Sequence, residues 1–380
     1  VSLGTYAAGH HTTANISFTT SNSIPRNGHL IVTFPSNFTS ISTTEIVSRN
    51  MDGGLTVIVD GYTVQVQRDG TGNEVGPRSE VMLQLLDGLT NPTFQGQTTI
   101  FPEVKTTPND TTLSIDEASS RYNQGDRIQG LTIIPASFGQ PPTVELASLV
   151  AGHEGAATVN LTLSNPLPAD GNILVEFPRN FTSINCTAAR ATGMDGTLGV
   201  WVASDGYTVR VRRAGDGTVV QAGAEITLEL LHGIKNQEFE GLSGAYPMIK
   251  TTLADTDVAI DESSGDFNRD QRPAAVLFTP ASFGQPPTVE LASLVAGHEG
   301  AATVNLTLTN PLPVDGNILV EFPRNFTSIN CTAARATGMD GTLGVWVASD
   351  GYTVRVRRAG DGTVVQAGAE ITLELLHGIK

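Results

Sequence analysis

Apolar and polar residues alternate with a period of two in several short stretches of this chain. In residues 156–163, Val159, Leu161 and Leu163 alternate with Thr158, Asn160 and Thr162. In 172–178, Ile173, Val175 and Phe177 alternate with Leu174 and Glu176. In 207–213, Tyr207, Val209 and Val211 alternate with Arg210 and Arg212, and in 225–231, Ile226, Leu228 and Leu230 alternate with Thr227 and Glu229. Successive side chains of a strand point to opposite faces, so this period predicts half-buried β-strands with the first-named residues turned inward. The clusters NPLPADGN (165–172), SDG (204–206) and RRAGDGT (212–218) read as the turns between them. No segment sustains a helical period.

The pattern repeats along the chain. Residues 136–155, ASFGQPPTVELASLVAGHEG, return unchanged at 281–300. Matching units begin at Val1, Val144 and Val289, which divides the chain into unit 1 (1–143), unit 2 (144–288) and unit 3 (289–380). Over their shared length, units 2 and 3 differ only at Ser164/Thr309 and Ala169/Val314. Unit 1 is divergent but keeps the frame: FPSNFTSI (34–41) against FPRNFTSI (177–184 and 322–329), DGYTVQVQR (60–68) against DGYTVRVRR (205–213), and LLDGLTN (85–91) against LLHGIKN (230–236). Short strands with turns every eight to twelve residues or so predict an all-β chain of tandem Ig-like β-sandwiches, each of about 145 residues and able to bury a core without disulfides.

Three finer expectations follow. Pro141–Pro142 and Pro286–Pro287 cannot sit in a helix and predict extended, Pro-rich connectors that hold the units in a semi-rigid rod. Unit 3 stops before counterparts of 246–253, 258–261 and 274–280, so it reads as a truncated sandwich, completed by further chain or by a strand from a neighbour. Arg210, Arg212 and Glu229 become Gln65, Gln67 and Gln84 together, which predicts a hairpin pairing 207–213 with 225–231.

A net charge of −16 and an isoelectric point near 4.8 leave no basic stripe for nucleic acid, and no apolar run of about 18 residues exists to span a membrane. The two cysteines, Cys186 and Cys331, occupy equivalent places with Thr43 as their counterpart in unit 1, and read as buried thiols or as links to another chain. Asp116–Glu117 and Asp261–Glu262 are strand neighbours that face opposite ways, a poor acid–base pair. Asp255, Asp257, Asp266 and Asp270 read as solvated turn residues, with a calcium site as the alternative. His10, His153, His232, His298 and His377 read as turn or surface histidines and have no zinc spacing. No phosphate loop or nucleophile elbow occurs, so neither a cofactor nor an enzymatic role is expected. Trp201 and Trp346, with Ile58 at the aligned place, read as inter-sheet or inter-chain packing, with sugar stacking as the alternative.

The strongest chemical pattern is Asn-x-Ser/Thr, the acceptor of N-linked glycans in a secreted setting. It occurs at Asn15, Asn37, Asn109, Asn160, Asn180, Asn185, Asn305, Asn325 and Asn330, while Asn91 is excluded by Pro92. One position recurs in all three units (Asn37, Asn180, Asn325), and Asn160 and Asn305 lie on the polar face of an alternating strand.

At FPxxF, the DGYTV and LLxGI segments, KTT (105–107 and 250–252) and IDE (115–117 and 260–262), the chain resembles tandem β-sandwich repeats of extracellular surface proteins from algae, other protists and bacteria. With its glycan acceptors it also resembles the protein core of glycan-coated extracellular fibrils. The resemblance covers the whole chain and implies a scaffold or filament whose partner is itself, with no catalytic residue carried over. The expected function is that of a secreted, N-glycosylated structural protein that self-assembles into a fibril or surface coat; the alternative is a cell-surface adhesin or stalk that presents a carbohydrate- or protein-binding unit.

Overall fold

A computed structural model of the chain describes residues 1–109, 111–254 and 256–380. The described residues form strands and turns, with helical geometry only in single 3-10 turns at Gln124–Asp126 and Arg269–Gln271. Three hydrophobic clusters follow one another along the chain, each between two antiparallel sheets.

Unit 2 shows the plan in full. One sheet has the order Gln140–Leu146, Glu154–Thr162, Glu225–Lys235, Ser183–Ile184, with Ala189–Thr192 also paired to Glu225–Lys235. The other runs Leu198–Val202, Thr208–Arg213, Asn172–Glu176, Met248–Thr252, Ala259–Ser264. Of the inward residues read from the alternation, Val159, Leu161, Leu163, Ile173, Val175, Phe177, Val209, Val211, Ile226, Leu228 and Leu230 are buried in this one core, and Tyr207 is half-buried against it. Phe177, Phe181, Tyr246 and Phe278 add a chain of edge-to-face rings at its end, with centroids 5.4–5.6 Å apart.

The expected hairpin of 207–213 with 225–231 does not form. Those strands belong to opposite sheets and meet only through their apolar faces. The charges that change together lie on the two outer faces. Glu229 bonds Arg190 on its own sheet at 2.6 Å, and Arg210 bonds Asp257 at 2.5 Å. Unit 1 has Gln84 and Val47 in place of the first pair, and Gln65 and Thr112 in place of the second. The covariation is real, but each charge vanishes with a different partner.

The long strand Glu225–Lys235 changes register opposite Gly155 and Ala157. There Gly233 adopts φ +78, and a Cβ on it would stand 2.3 Å from the Asn185 carbonyl oxygen. Gly88 and Gly378 repeat that geometry, which gives the LLxGI motif its physical reason: a bulge that needs a residue without a side chain.

The double proline also departs from expectation. Gln140–Leu146 is extended but is no free connector. It is the edge strand of unit 2, bonded to Glu154–Thr162 with a bulge between Gln140 and Thr143. Prolines lack an N–H to donate, and an edge strand at a bulge is where that loss is tolerated. Gln285–Leu291 repeats the arrangement in unit 3.

Unit 3 has a four-stranded sheet and a second sheet of three, Asn317–Glu321, Thr353–Arg358 and Leu343–Val347. The sequence carries no third copy of Met248–Thr252 and Ala259–Ser264, and Asn317–Glu321 is an outer strand.

Candidate functional site at the repeat junction

The junction between units 1 and 2 is the most elaborate polar arrangement in the chain, and residues from both sides build it. Leaving unit 1, the chain places Ala136 beside the outer strand Ala259–Ser264 of unit 2. The Ala136 N–H donates to the Ile260 carbonyl (3.1 Å), and the Glu262 N–H donates to the Ala136 carbonyl (2.8 Å). Two residues on, Phe138 enters the unit 2 core, and its carbonyl accepts from Gln271 Nε2 at 3.2 Å. The Gly139 N–H then donates to the Thr162 carbonyl (2.7 Å) and the edge strand begins. The segment 135–139 thus fills a groove between the two sheets and adds a short parallel bridge to one of them. Gln95 of unit 1 donates its N–H to the Ala259 carbonyl (2.8 Å), and the neighbouring Phe94 packs on the unit 2 core.

Asp261 lies at the centre. It is fully buried, and its carboxylate accepts from the Ser164 N–H (3.0 Å), the Asn165 N–H (3.2 Å) and Asn165 Nδ2 (2.9 Å). Asn165 Nδ2 also donates to the Ala8 carbonyl of unit 1 at 3.1 Å, which ties the buried carboxylate to the neighbouring unit. Burial pushes the Asp261 carboxyl up from 3.8 to about 6, against the pull of these three donors. The sequence reading saw only two adjacent carboxylates unsuited to catalysis. The signal it passed over was the recurrence of Asn22 and Asp116 at the matching places of the divergent unit 1.

A second buried polar group, also missed, recurs in every unit. The guanidinium of Arg213 is buried and donates to the carbonyls of Pro168 (2.6 Å) and Thr218 (2.6 Å) and to Asp195 Oδ1 (3.0 Å). Arg68 and Arg358 do the same. Each binds loops of its own unit together rather than serving a ligand.

The remaining candidates are scattered. Cys186 and Cys331 are buried and unbridged, and burial pushes the Cys186 thiol up. Trp201 and Trp346 do not pack between sheets. They are exposed on an outer face opposite Arg210 and Arg355, and the Arg355 guanidinium lies 5.8 Å from the Trp346 ring centroid. All five histidines are exposed; His10, His153 and His298 follow turns, whereas His232 and His377 lie in the strands Glu225–Lys235 and Glu370–Ile379. Among the described residues no group of three His, Cys, Asp or Glu side chains is placed to hold a metal. Asp257 is paired with Arg210, and Asp255 lies outside the described residues.

The nine glycan-acceptor asparagines fall into two groups. Asn109, Asn185, Asn325 and Asn330 are exposed, while Asn15, Asn37, Asn160, Asn180 and Asn305 are half-buried. A glycan is attached through Nδ2, and in three of the second group that atom is engaged. Asn180 Nδ2 donates to Gln237 Oε1 (2.6 Å) and the Leu242 carbonyl (3.1 Å). Asn160 and Asn305 donate to Thr143 and Thr288 across the edge strand. In unit 2 these bonds of Asn180 anchor the FPRNF turn.

No protein-family model matches the chain, and no curated protein does. Solved structures with a similar backbone include the N-terminal domain of a Streptococcus gordonii adhesin, 10% identical over 71% of this chain and 60% of that one, with a TM-score of 0.26. The C-terminal domain of a Streptococcus pyogenes antigen I/II-family protein is 7% identical over 73% of this chain and 94% of that one, with a TM-score of 0.26. A type II cohesin dyad from an adaptor scaffoldin of Acetivibrio cellulolyticus is 11% identical over 67% of this chain and 87% of that one, with a TM-score of 0.18. This chain thus spans 60% of the length of the adhesin domain. No site residue is carried over from these structures.

Proposed function

We propose that this protein is an extracellular structural element: a row of β-sandwiches locked end to end, which self-assembles into a fibril or surface coat and carries N-linked glycans. The junction carries this reading. Ala136 and Phe138 are the tail of one sandwich built into the sheet and core of the next, which transmits orientation and load rather than forming a reaction site. The resemblance of the repeats to those of glycan-coated fibrils supports it. No helix among the described residues is long and apolar enough to cross a membrane.

Asn185 and Asn330 are the favoured glycan positions, since both are exposed beside the bulge glycines Gly233 and Gly378 at the same place in two successive units. The test is electron microscopy of native material with peptide mapping before and after enzymatic deglycosylation. Periodic filaments, and peptides containing Asn185 and Asn330 that lose mass on deglycosylation, are expected. Dispersed single rods bearing no glycan would overturn the proposal.

A second reading rests on Trp201 and Trp346. Each presents an exposed ring opposite an arginine at equivalent places, an arrangement suited to stacking on sugars in an adhesin. Binding to a glycan array that is lost with Trp201→Ala and Trp346→Ala would favour it.

A further inference from the structure

The two sheets of unit 2 end in four edges, and three of them are guarded. Gln140–Leu146 carries two prolines and a bulge, and Ala259–Ser264 is bridged by Ala136. Ser183–Ile184 and Ala189–Thr192, which share the third edge, are short, and the second presents the exposed Arg190. The fourth edge, Leu198–Val202, is bare. It reads Leu-Gly-Val-Trp-Val, has no proline, bulge or charge, and pairs on one side only, with Thr208–Arg213. The Ala203 N–H donates to the Thr208 carbonyl (2.8 Å) and the Ala214 N–H to the Thr197 carbonyl (2.9 Å). Bonded and non-bonded positions alternate in an antiparallel ladder, so Gly199 and Trp201 bond to that neighbour, while the N–H and carbonyl groups of Leu198, Val200 and Val202 point out along the edge. Among the described residues no partner meets them.

The side chains of this strand are complementary to themselves. Leu198, Val200 and Val202 pack on the core, while Gly199 and Trp201 face outward. The Trp201 ring reaches back over Gly199, where a Cβ would meet it at 4.0 Å. Turned antiparallel about Val200, the strand sets Val200 against Val200 and Leu198 against Val202 at positions that exchange N–H···O=C bonds. Gly199 then falls opposite Trp201 at the closer, non-bonded position between them. An aromatic ring opposite an edge glycine covers the backbone that the glycine leaves open. No like charges are set opposite one another, which matters in a chain of net charge −16. Leu343–Val347 repeats the sequence and the register, with a Cβ on Gly344 3.7 Å from the Trp346 ring. Leu55–Asp60 of unit 1 keeps the frame, with Thr56 and Ile58 in the glycine and tryptophan places. This edge lies across the sheet from Met248–Thr252 and Ala259–Ser264, so it is the same in units 2 and 3.

We propose that Leu198–Val202 and Leu343–Val347 are lateral contacts between copies of this chain, each pairing antiparallel with the same strand of a second copy to make one continuous sheet across two sandwiches. The two strands are identical, so either fits either. Each chain then carries two equivalent contacts, and pairing extends past a dimer. The proposal rests on the self-assembly reading and names its contact. It gives the tryptophans a protein partner in place of a sugar.

The test is amide hydrogen exchange of the whole 1–380 chain at rising concentration, with sedimentation velocity alongside. As the chain associates, the amides of Leu198, Val200 and Val202 and their unit 3 equivalents should slow at least about tenfold. Those of Gly199 and Trp201, already bonded in the monomer, should change little. Gly199→Lys with Gly344→Lys puts a charged side chain where the partner's ring must lie. A Cβ at either place meets nothing closer than 3.7 Å, so the denaturation midpoint should hold. Association should weaken at least about tenfold, although the two lysines bring the net charge nearer zero, which by itself favours association. Association that leaves the 198, 200 and 202 amides fast, or that the lysines do not weaken, would overturn the contact. Periodic filaments in which these amides stay fast would overturn the contact alone and leave the self-assembly reading standing. A chain that stays monomeric throughout would overturn both.

Discussion

Units 2 and 3 make a near-controlled comparison, because one sequence is placed in two surroundings. Phe138 is 1% exposed in the first and Phe283 is 49% exposed in the second; Leu174 is 3% exposed and Leu319 is 56%. The two substitutions between the units lie at other positions, Ser164/Thr309 and Ala169/Val314, although Thr309 Oγ1 donates to the Ser282 carbonyl beside Phe283. The difference comes from Met248–Thr252 and Ala259–Ser264, which close the second sheet of unit 2 and have no counterpart in residues 289–380. The ends show the same contrast. Phe94 packs on the unit 2 core, whereas its equivalent Phe239, which faces unit 3, is 63% exposed. Of the bonds that Asn165 makes at the first junction, Asn310 repeats the one to the preceding unit, Nδ2 on the Ala151 carbonyl at 3.0 Å, and the Gly284 N–H, on the Thr307 carbonyl at 2.9 Å, repeats that of Gly139. Burial at these positions is thus a property of the joint more than of the residue.

The largest effect that would break this comparison is at the buried ring. Phe138→Ala should destabilise unit 2 by about 3–5 kcal/mol. The same change at Phe283 should cost less than about 1 kcal/mol. With Trp346→Phe as background, Trp201 is the sole tryptophan and reports unit 2 in denaturant titrations; equal shifts from both changes would contradict the contrast.

The clamp comes next. Asn165→Ala removes donors to both Ala8 and Asp261, and should loosen the first junction by about 1–3 kcal/mol. Asn310→Ala, with one such bond to lose, should cost about 1 kcal/mol. Amide exchange at Ala136 and Glu262 reads the first junction, and Asn310→Ala should leave both amides unmoved.

Acidity is the next probe of the first junction, through Asp261. Because burial lifts the Asp261 carboxyl from 3.8 to about 6, folded unit 2 holds a proton that the unfolded chain would release. Its contribution to the stability of unit 2 is therefore full below about pH 3.8 and is lost as pH rises through about 6. Ala136 and Glu262 should exchange with greater protection at pH 5 than at pH 7.5, once the intrinsic rate is corrected for, and Asp261→Asn should flatten the dependence.

The smallest effect sharpens the comparison by its sameness. The Arg190–Glu229 and Arg335–Glu374 pairs are exposed cross-strand contacts of 2.6 Å in units 2 and 3. Arg190→Ala and Arg335→Ala should each cost about 0.2–1 kcal/mol and by equal amounts, since this face does not sense the junction. Unequal losses in denaturant titrations would show that the open edge of unit 3 is felt across the whole sandwich.

Much of the fold was legible because alternation is a local signal. Each inward residue named from 156–163, 172–178 and 225–231 lies in the core. What the alternation did not carry was which strand lies beside which. Arg210 and Glu229 change together, yet they stand on opposite outer faces, each with a partner distant in sequence. The double proline misled for a related reason. Proline excludes helix but does not distinguish a free spacer from an edge strand with a bulge. The candidate site was the least legible part. Asp261 matters through Asn165 and Ala8, far away in the sequence, and its type suggests nothing until those neighbours surround it.

The edge strand Gln140–Leu146 also decides how the protein behaves under tension. Pulled from unit 1, the chain enters unit 2 at Gln140 and runs the length of Glu154–Thr162. It leaves at Thr279, which bridges Val150 just past the far end of that strand. The pull therefore lies along the strand and perpendicular to its hydrogen bonds, so they are loaded in shear and must yield together rather than peel one at a time. Phe138 and the Ala136 bridge sit ahead of them on the chain, so a pull from unit 1 reaches these contacts before the edge strand.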